Sequence, residues 1–178
     1  MNAQDGISLE IAALADGYRM SAITPEDVVD AVYERIAAYE DPAVWTALVP
    51  REQALTRARA LPKDMSGYPL YGVPFAVKDN IDVAHMPTTA ACPDYAYVPV
   101  ASAPLVDRLL EAGAILIGKN NMDQFATGLS GMRSPYGTPR NALVPGLVPG
   151  GSSSGSASAV SAGLVSFAIG TTYSLASL

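Results

Sequence analysis

The sequence predicts an α/β fold, a mixed sheet flanked by helices, and three observations carry that expectation. Residues 68–77 are β-prone and close on Phe75-Ala76-Val77, directly before Lys78. Ala114 to Ile117 is a second continuous apolar run, leading to Gly118-Lys119. Between them, Pro104 to Glu111 has the composition of a short helix that Gly113 stops. Apolar strands without polar alternation, joined through a helix, indicate a sheet covered on both faces.

In chain order, Thr24-Pro25-Glu26-Asp27 reads as an N-cap, a proline at the first helical position and an acidic first turn. Val28, Val29, Val32 and Ile36 then recur at helical spacing, with Glu34 and Arg35 off the stripe. Arg51 to Leu61 is a second helix with solvated Arg and Glu residues. Both read as packing helices without chemistry of their own. Pro69, Gly72 and Pro74 punctuate the approach to the Lys78 strand. In the 104–111 helix, Leu105, Val106 and Leu109 form the apolar stripe. Asn121 to Gly128 predicts a further helical turn, Ser134 to Pro149 a long loop, and Ser156 to Ala168 a buried helix of small residues. No repeat or linker divides residues 1–178, which are read as one unit.

Composition narrows the function. The chain is 49% hydrophobic and 16% charged, which excludes broad disorder. A formal charge of −6 with no Lys/Arg cluster excludes a phosphate-tracking surface, so no nucleic acid is expected as partner. Cys92 is the single cysteine, which rules out an internal disulfide and fits a reducing, cytoplasmic setting. Met1 to Leu14 lacks the basic and apolar regions of a signal peptide. Asn141 to Leu178 contains no Asp, Glu, Lys or Arg, the one stretch with the charge pattern of a membrane span. Pro145, Pro149, Gly150, Gly151, Gly155 and Gly170 interrupt it, so a glycine loop feeding a buried helix is the better account, and no membrane contact is expected.

The chemistry concentrates in Pro149-Gly150-Gly151-Ser152-Ser153-Ser154-Gly155-Ser156. By composition alone such a loop is a connector. A phosphate-binding loop would need Lys where Ser156 stands, and a dinucleotide loop would need a preceding strand. Lys78 changes the reading. A lysine delivered by a buried strand has its charged form disfavoured, and the neutral amine becomes a usable base. A serine hydroxyl needs such a base to become reactive, and serine–lysine pairs are one solution.

The strings Gly72-Val73-Pro74-Phe75-Ala76-Val77-Lys78-Asp79-Asn80 and Gly150-Gly151-Ser152-Ser153-Ser154-Gly155-Ser156 together resemble the amidase signature family. Within it, Pro87-Thr88-Thr89-Ala90-Ala91-Cys92-Pro93, Asp123-Gln124-Phe125-Ala126-Thr127-Gly128-Leu129 and Ser134-Pro135-Tyr136-Gly137 are most similar to the allophanate hydrolase branch, which cleaves allophanate to ammonia and carbon dioxide. The resemblance covers roughly Ile23 to Gly170. It implies the N-terminal part of an amidase domain, about the first third, with a Ser–cisSer–Lys triad and a small-molecule amide substrate. By position, Lys78 would be the general base and acid, and Ser152 the bridging serine after a cis peptide bond. Gly150, Gly151, Ser153 and Gly155 would build the loop around the oxyanion. No metal or organic cofactor is implied.

One segment departs from that pattern. The family's nucleophile lies in a string like Gly-Thr-Asp-Thr-Ala/Gly-Gly-Ser, and here Gly170-Thr171 is followed by Thr172-Tyr173-Ser174-Leu175-Ala176-Ser177-Leu178. Ungapped, the nucleophile position falls on Ala176; one inserted residue brings Ser177 there, still without the Asp and the glycines. The expectation is therefore an amidase chain that is inactive by itself. Two other readings stand beside it. One is another amidase-signature enzyme, such as the amidase subunit of glutamyl-tRNA amidotransferase. The other is a non-catalytic assembly fragment that self-associates through an incomplete sheet edge.

Of the remaining residues, His85 and Cys92 lack an orienting partner for a Cys–His hydrolase, and one His with one Cys cannot make a zinc set. Asp79 and Asn80 are expected to orient Lys78 or close a turn. Asp123 and Gln124 are expected to be scaffold. Arg133 and Tyr136 fit either a substrate mouth or a surface loop.

Overall fold

In a computed structural model, the structure describes residues 6–171. Four strands form one sheet in the order β1-β3-β2-β4. These are β1 (Trp45–Leu48), β2 (Pro74–Lys78), β3 (Ile115–Asn120) and β4 (Phe167–Ile169). β2 runs parallel to both β3 and β4, and β1 is antiparallel to β3. Five helices accompany them: α1 (Ile11–Arg19), α2 (Pro25–Tyr39), α3 (Arg51–Arg59), α4 (Pro104–Glu111) and α5 (Ser154–Ser161). The mixed sheet with helices on both faces matches the sequence expectation.

Alternation along the central strands sends side chains to two cores. Ala76, Ile115 and Ile117 join Leu14, Val28, Val29, Val32, Leu55 and Ala159 on the face covered by α1, α2, α3 and α5. Phe75, Val77 and Leu116 join Ile81, Val83 and Val106 on the α4 face, where Phe75 stacks on Phe167 with ring centroids 5.4 Å apart. α2 starts where the sequence indicated. The Thr24 hydroxyl accepts from Asp27 N at 3.2 Å, and the Asp27 carboxylate accepts from Thr24 N at 2.9 Å. This reciprocal cap satisfies two otherwise orphaned donors.

Several elements differ from expectation. The predicted helix over Ser156 to Ala168 is α5 alone. It stops at Ser161, Gly163 turns the chain with φ +66°, and Phe167–Ile169 becomes strand β4 beside β2. Pairing with a central strand outweighs the helical pattern of small residues there. Asn121 to Gly128 yields only a 3-10 turn at Gln124–Ala126, broken by Phe125 at φ 50°. On α4, Leu105 faces solvent at 47% exposure and Val106, Leu109 and Leu110 face the core. The charge-free run contains no helix long and apolar enough to cross a membrane among the described residues.

Candidate active site

β2 is buried at all five positions and lies between β3 and β4, so it ends inside the molecule with its last residue buried. That residue is Lys78. Its Nζ lies 2.7 Å from Ser152 Oγ and donates to the Thr171 carbonyl at 2.7 Å. Burial pushes the amine down from its ordinary 10.5 to about 8, with the Asp123 carboxylate pulling the other way. Among the described residues Lys78 has no ion-pair partner, although the molecule contains a lysine that does.

The glycine/serine loop supplies the hydroxyl. Gly150 sits at φ +83°, where a side chain would be strained, and the Gly151–Ser152 peptide is cis. The Ser152 carbonyl accepts from Asp123 N at 3.0 Å, which anchors the loop to the segment after β3. Ser153 Oγ donates to the Thr171 carbonyl at 3.0 Å, so Lys78 and Ser153 share one acceptor. Asn80 Nδ2 donates to the Thr171 hydroxyl at 2.9 Å, holding that residue beside the lysine.

α5 follows directly. The Gly155 N–H is committed to the Asn121 carbonyl at 2.9 Å, and a Cβ on Gly155 would sit 2.5 Å from the Val44 carbonyl oxygen. Gly155 therefore lets the helix approach the sheet closely, and its donor is not open to an oxyanion. The Ser156 hydroxyl contacts Asn120 Oδ1 and the Ile169 carbonyl, each at 3.4 Å. Ser154 Oγ is buried without a partner among the described residues.

Structure thus brings together Lys78, Ser152, Ser153, Gly150 and Gly151, with Gly155 behind them as packing. The positions of Ala176 and Ser177 lie outside the described residues. His85 is exposed and Cys92 is half-buried, and no cluster of three metal-ligating side chains exists among the described residues. Arg133 is exposed on a surface loop, with its guanidinium on the Thr127 carbonyl at 3.3 Å. Tyr136 packs on Ala90, Ala91 and Met122.

Three features went unread in the sequence. Asp79 stands in the turn that closes after β2, where Ile81 N donates to the Lys78 carbonyl at 2.9 Å, and its unread feature is the carboxylate's partner: Lys119 on the other face of the sheet, Nζ to Oδ1 at 3.2 Å, both side chains fully buried. Asp123 is scaffold through partners that the sequence did not reveal. Its carboxylate accepts from Gly131 N at 3.0 Å and Arg133 N at 2.8 Å, and it lies so close to Gly151 that no side chain fits there. Thr171 is the third, through its backbone carbonyl, which no side-chain motif announces. A usable signal existed for Lys119, because it ends an apolar strand just as Lys78 does.

What the arrangement can do is move a proton. A neutral amine keeps two N–H donors and one lone pair. One donor is fixed by Thr171, so the lone pair is free to take a proton arriving through the Ser152 hydroxyl. Ser152 can simultaneously accept from a further hydroxyl.

The Amidase family profile matches residues 27–173. Urea amidolyase of Saccharomyces cerevisiae is 52% identical over 129 residues, which is 71% of this chain and 7% of that protein. The A subunit of glutamyl-tRNA(Gln) amidotransferase from Exiguobacterium sp. is 40% identical over 163 residues, 90% of this chain and 34% of that protein. Among solved structures, Kluyveromyces lactis allophanate hydrolase superposes with a TM-score of 0.74 at 42% identity, over 88% of this chain and 26% of that one. This chain therefore spans less than a tenth of the urea amidolyase and about a third of the amidotransferase protein. With a strand-end lysine on the serine of its glycine loop and a profile match across most of its length, the chain belongs to the amidase family.

Proposed function

We propose that this chain carries the proton-handling half of a Ser–cisSer–Lys amide hydrolase whose substrate is allophanate. The observation that carries the reading is the 2.7 Å contact between the Lys78 amine and the Ser152 hydroxyl, both buried, with no carboxylate among the described residues paired to the amine. In the cycle, the nucleophile's hydroxyl passes its proton through Ser152 to Lys78 and attacks the terminal amide carbonyl. In the complete enzyme, backbone N–H groups of the nucleophile segment, a string that residues 172–178 do not match, stabilise the oxyanion beside the Gly150–Ser153 loop. Lys78 returns the proton to the leaving nitrogen, ammonia departs, and water then releases the acyl group. The allophanate assignment is supported by similarity to the K. lactis enzyme and to the yeast urea amidolyase.

The chain by itself is proposed not to turn over, because residues 172–178 contain neither the Asp nor the glycines of a nucleophile segment. Missing oxyanion donors alone would raise the barrier by about 3 kcal/mol each. Ammonia release from allophanate, with K. lactis allophanate hydrolase as control, checks both halves. The isolated chain is expected to fall more than about a hundredfold below the control. A chimera in which residues 27–171 replace the matching segment of the K. lactis enzyme is expected to hydrolyse allophanate, and Lys78→Met in it to reduce the rate at least about a thousandfold. Turnover by the isolated chain, or an active chimera indifferent to Lys78→Met, contradicts the proposal.

Two alternatives have specific support. The glutamyl-tRNA(Gln) amidotransferase relative aligns over 90% of this chain, so a glutamine-type amide belongs in the same chimera assay. A non-catalytic fragment that self-associates is supported by β4, a three-residue edge strand whose side chains stay half-buried. Size-exclusion chromatography separates that case, since a clean monomer argues against it.

A further inference from the structure

We propose that the buried Asp79–Lys119 ion pair is a positioning pair for Lys78, holding the strand end and the Pro87–Ala91 loop in place while cancelling its own charge beside the reactive amine. This inference rests on the reading of Lys78 as the proton acceptor.

Geometry carries it. β2 and β3 pair in register from Pro74 opposite Ile115, then slip, so that Ala76 faces Gly118 and Val77 faces Lys119. The skipped residue reverses the alternation in β3. Without the slip, Lys119 would share a face with Ile115 and Ile117, the side on which Ala76 and Lys78 lie. With it, Lys119 moves to the opposite face, and Asp79, one residue past Lys78, meets it there. The Lys119 amine touches Asp79 Oδ1 at 3.2 Å and donates to Thr88 Oγ1 at 2.6 Å, the Pro87 carbonyl at 2.9 Å and the Asp79 carbonyl at 3.4 Å. The other carboxylate oxygen, Oδ2, accepts from the Thr89 hydroxyl, from Thr89 N at 3.3 Å and from Ala91 N at 3.4 Å. Asp79 N donates to the Asn120 carbonyl at 3.0 Å, closing the connection between the ends of both strands.

The electrostatic consequence follows from sign. Lys78 is faced by Asp123 from the segment after β3, while Asp79, its chain neighbour, pairs with Lys119 on the opposite face of the sheet. Asp82 also faces Lys119, and Tyr136 reaches Thr89 Oγ1 at 3.4 Å. An unpaired Asp79 carboxylate would favour a charged Lys78, and an unpaired Lys119 would oppose it. Paired, their opposite charges offset one another; burial is the largest influence on Lys78 and Asp123 opposes it.

The chain has three lysines, Lys63, Lys78 and Lys119, so a protein grown with 13Cε,15Nζ-lysine gives three resolvable NMR titrations. Lys63→Arg and Lys78→Met assign them. Asp79→Asn is expected to lower the Lys78 midpoint by about one pH unit and Lys119→Met to raise it by a similar amount. Asp79→Asn/Lys119→Met returns it to within about a third of a pH unit of wild type, and Lys119→Arg leaves it unchanged. A merely structural pair would not give opposite signs or a double-variant rescue. Equal-direction shifts, no shifts, or a double variant that does not return would overturn the proposal, as would loss of fold in the near-isosteric Asp79→Asn. Were Lys78 to titrate near 10.5 in wild type while the variants still split as described, the base assignment would fail and the pair would stand.

Discussion

Replacing Lys78 by Met tests whether that amine is held against its own charge. Methionine fills a similar volume without the ionisable group, so the core is retained and the desolvation penalty is removed. The folded amine sits at about 8 against an ordinary 10.5. In the window between those values the unfolded chain holds the proton and the folded chain does not. Stability therefore rises with pH through the window and is lost as pH falls toward about 8. At about 1.4 kcal/mol per unit, the separation corresponds to roughly 3 kcal/mol, and about 1–2 kcal/mol remains after allowing for solvent screening at the strand end. Met also leaves Ser152 Oγ without its amine partner, a pH-independent loss of about 1 kcal/mol; Thr171 keeps its bond from Ser153. Urea unfolding followed by the single tryptophan, buried Trp45, reads the difference directly. Wild type is expected to gain about 1–2 kcal/mol relative to Lys78→Met between about pH 7 and pH 10. Groups titrating elsewhere cancel in that comparison. A difference that is flat with pH, or that runs the other way, refutes the claim of a disfavoured buried charge.

The same unfolding assay checks two further expectations. Thr24→Ala removes the hydroxyl half of the α2 cap and should lower stability by about 1 kcal/mol, with Thr24→Ser close to wild type. Gly155→Ala drives a methyl against the Val44 carbonyl and the Asn121 amide, 2.5 and 2.6 Å away, both backbone atoms that cannot swing aside. It should cost about 1–3 kcal/mol, and an unchanged urea midpoint would mean that α5 does not press on the sheet as described.

Legibility in the sequence followed the range of the forces involved. The start of α2 was readable because its cap is a local bond between residues three apart, Thr24 and Asp27. The ends of β2 and β3 were readable because buried central strands must be apolar throughout. β1 was not, since Trp45–Leu48 is a four-residue edge that owes its conformation to β3. β4 was not, because Leu164 to Ile169 continues the small apolar pattern of α5 and only Gly163 marks the change. At the site, Lys78 and Ser152 could be matched as strings, whereas Thr171 acts through a carbonyl that every residue possesses.

Lys119 was hidden for a different reason, and that reason bears on how the site works. Both lysines end buried apolar strands that are neighbours in the sheet, so pattern alone makes them equivalent. Burial pushes both amines down; at Lys119 the contacting Asp79 carboxylate resists the shift, and at Lys78 Asp123 does so without an ion-pair contact. What distinguishes the two lysines is therefore the face to which Asp79 turns: Lys119 is ion-paired and Lys78 is not, among the described residues. That face follows from alternation at the end of β2, and Lys119 meets it only because the ladder slips between Phe75 and Ala76. Removing the slip would set Lys119 on the side of Lys78 and Ser152, two amines in one dry pocket, and strand Asp79 behind the sheet. On the proposed reading of Lys78 and its positioning pair, the irregularity in the ladder therefore matters to the base as the hydrophobic strand that buries it does.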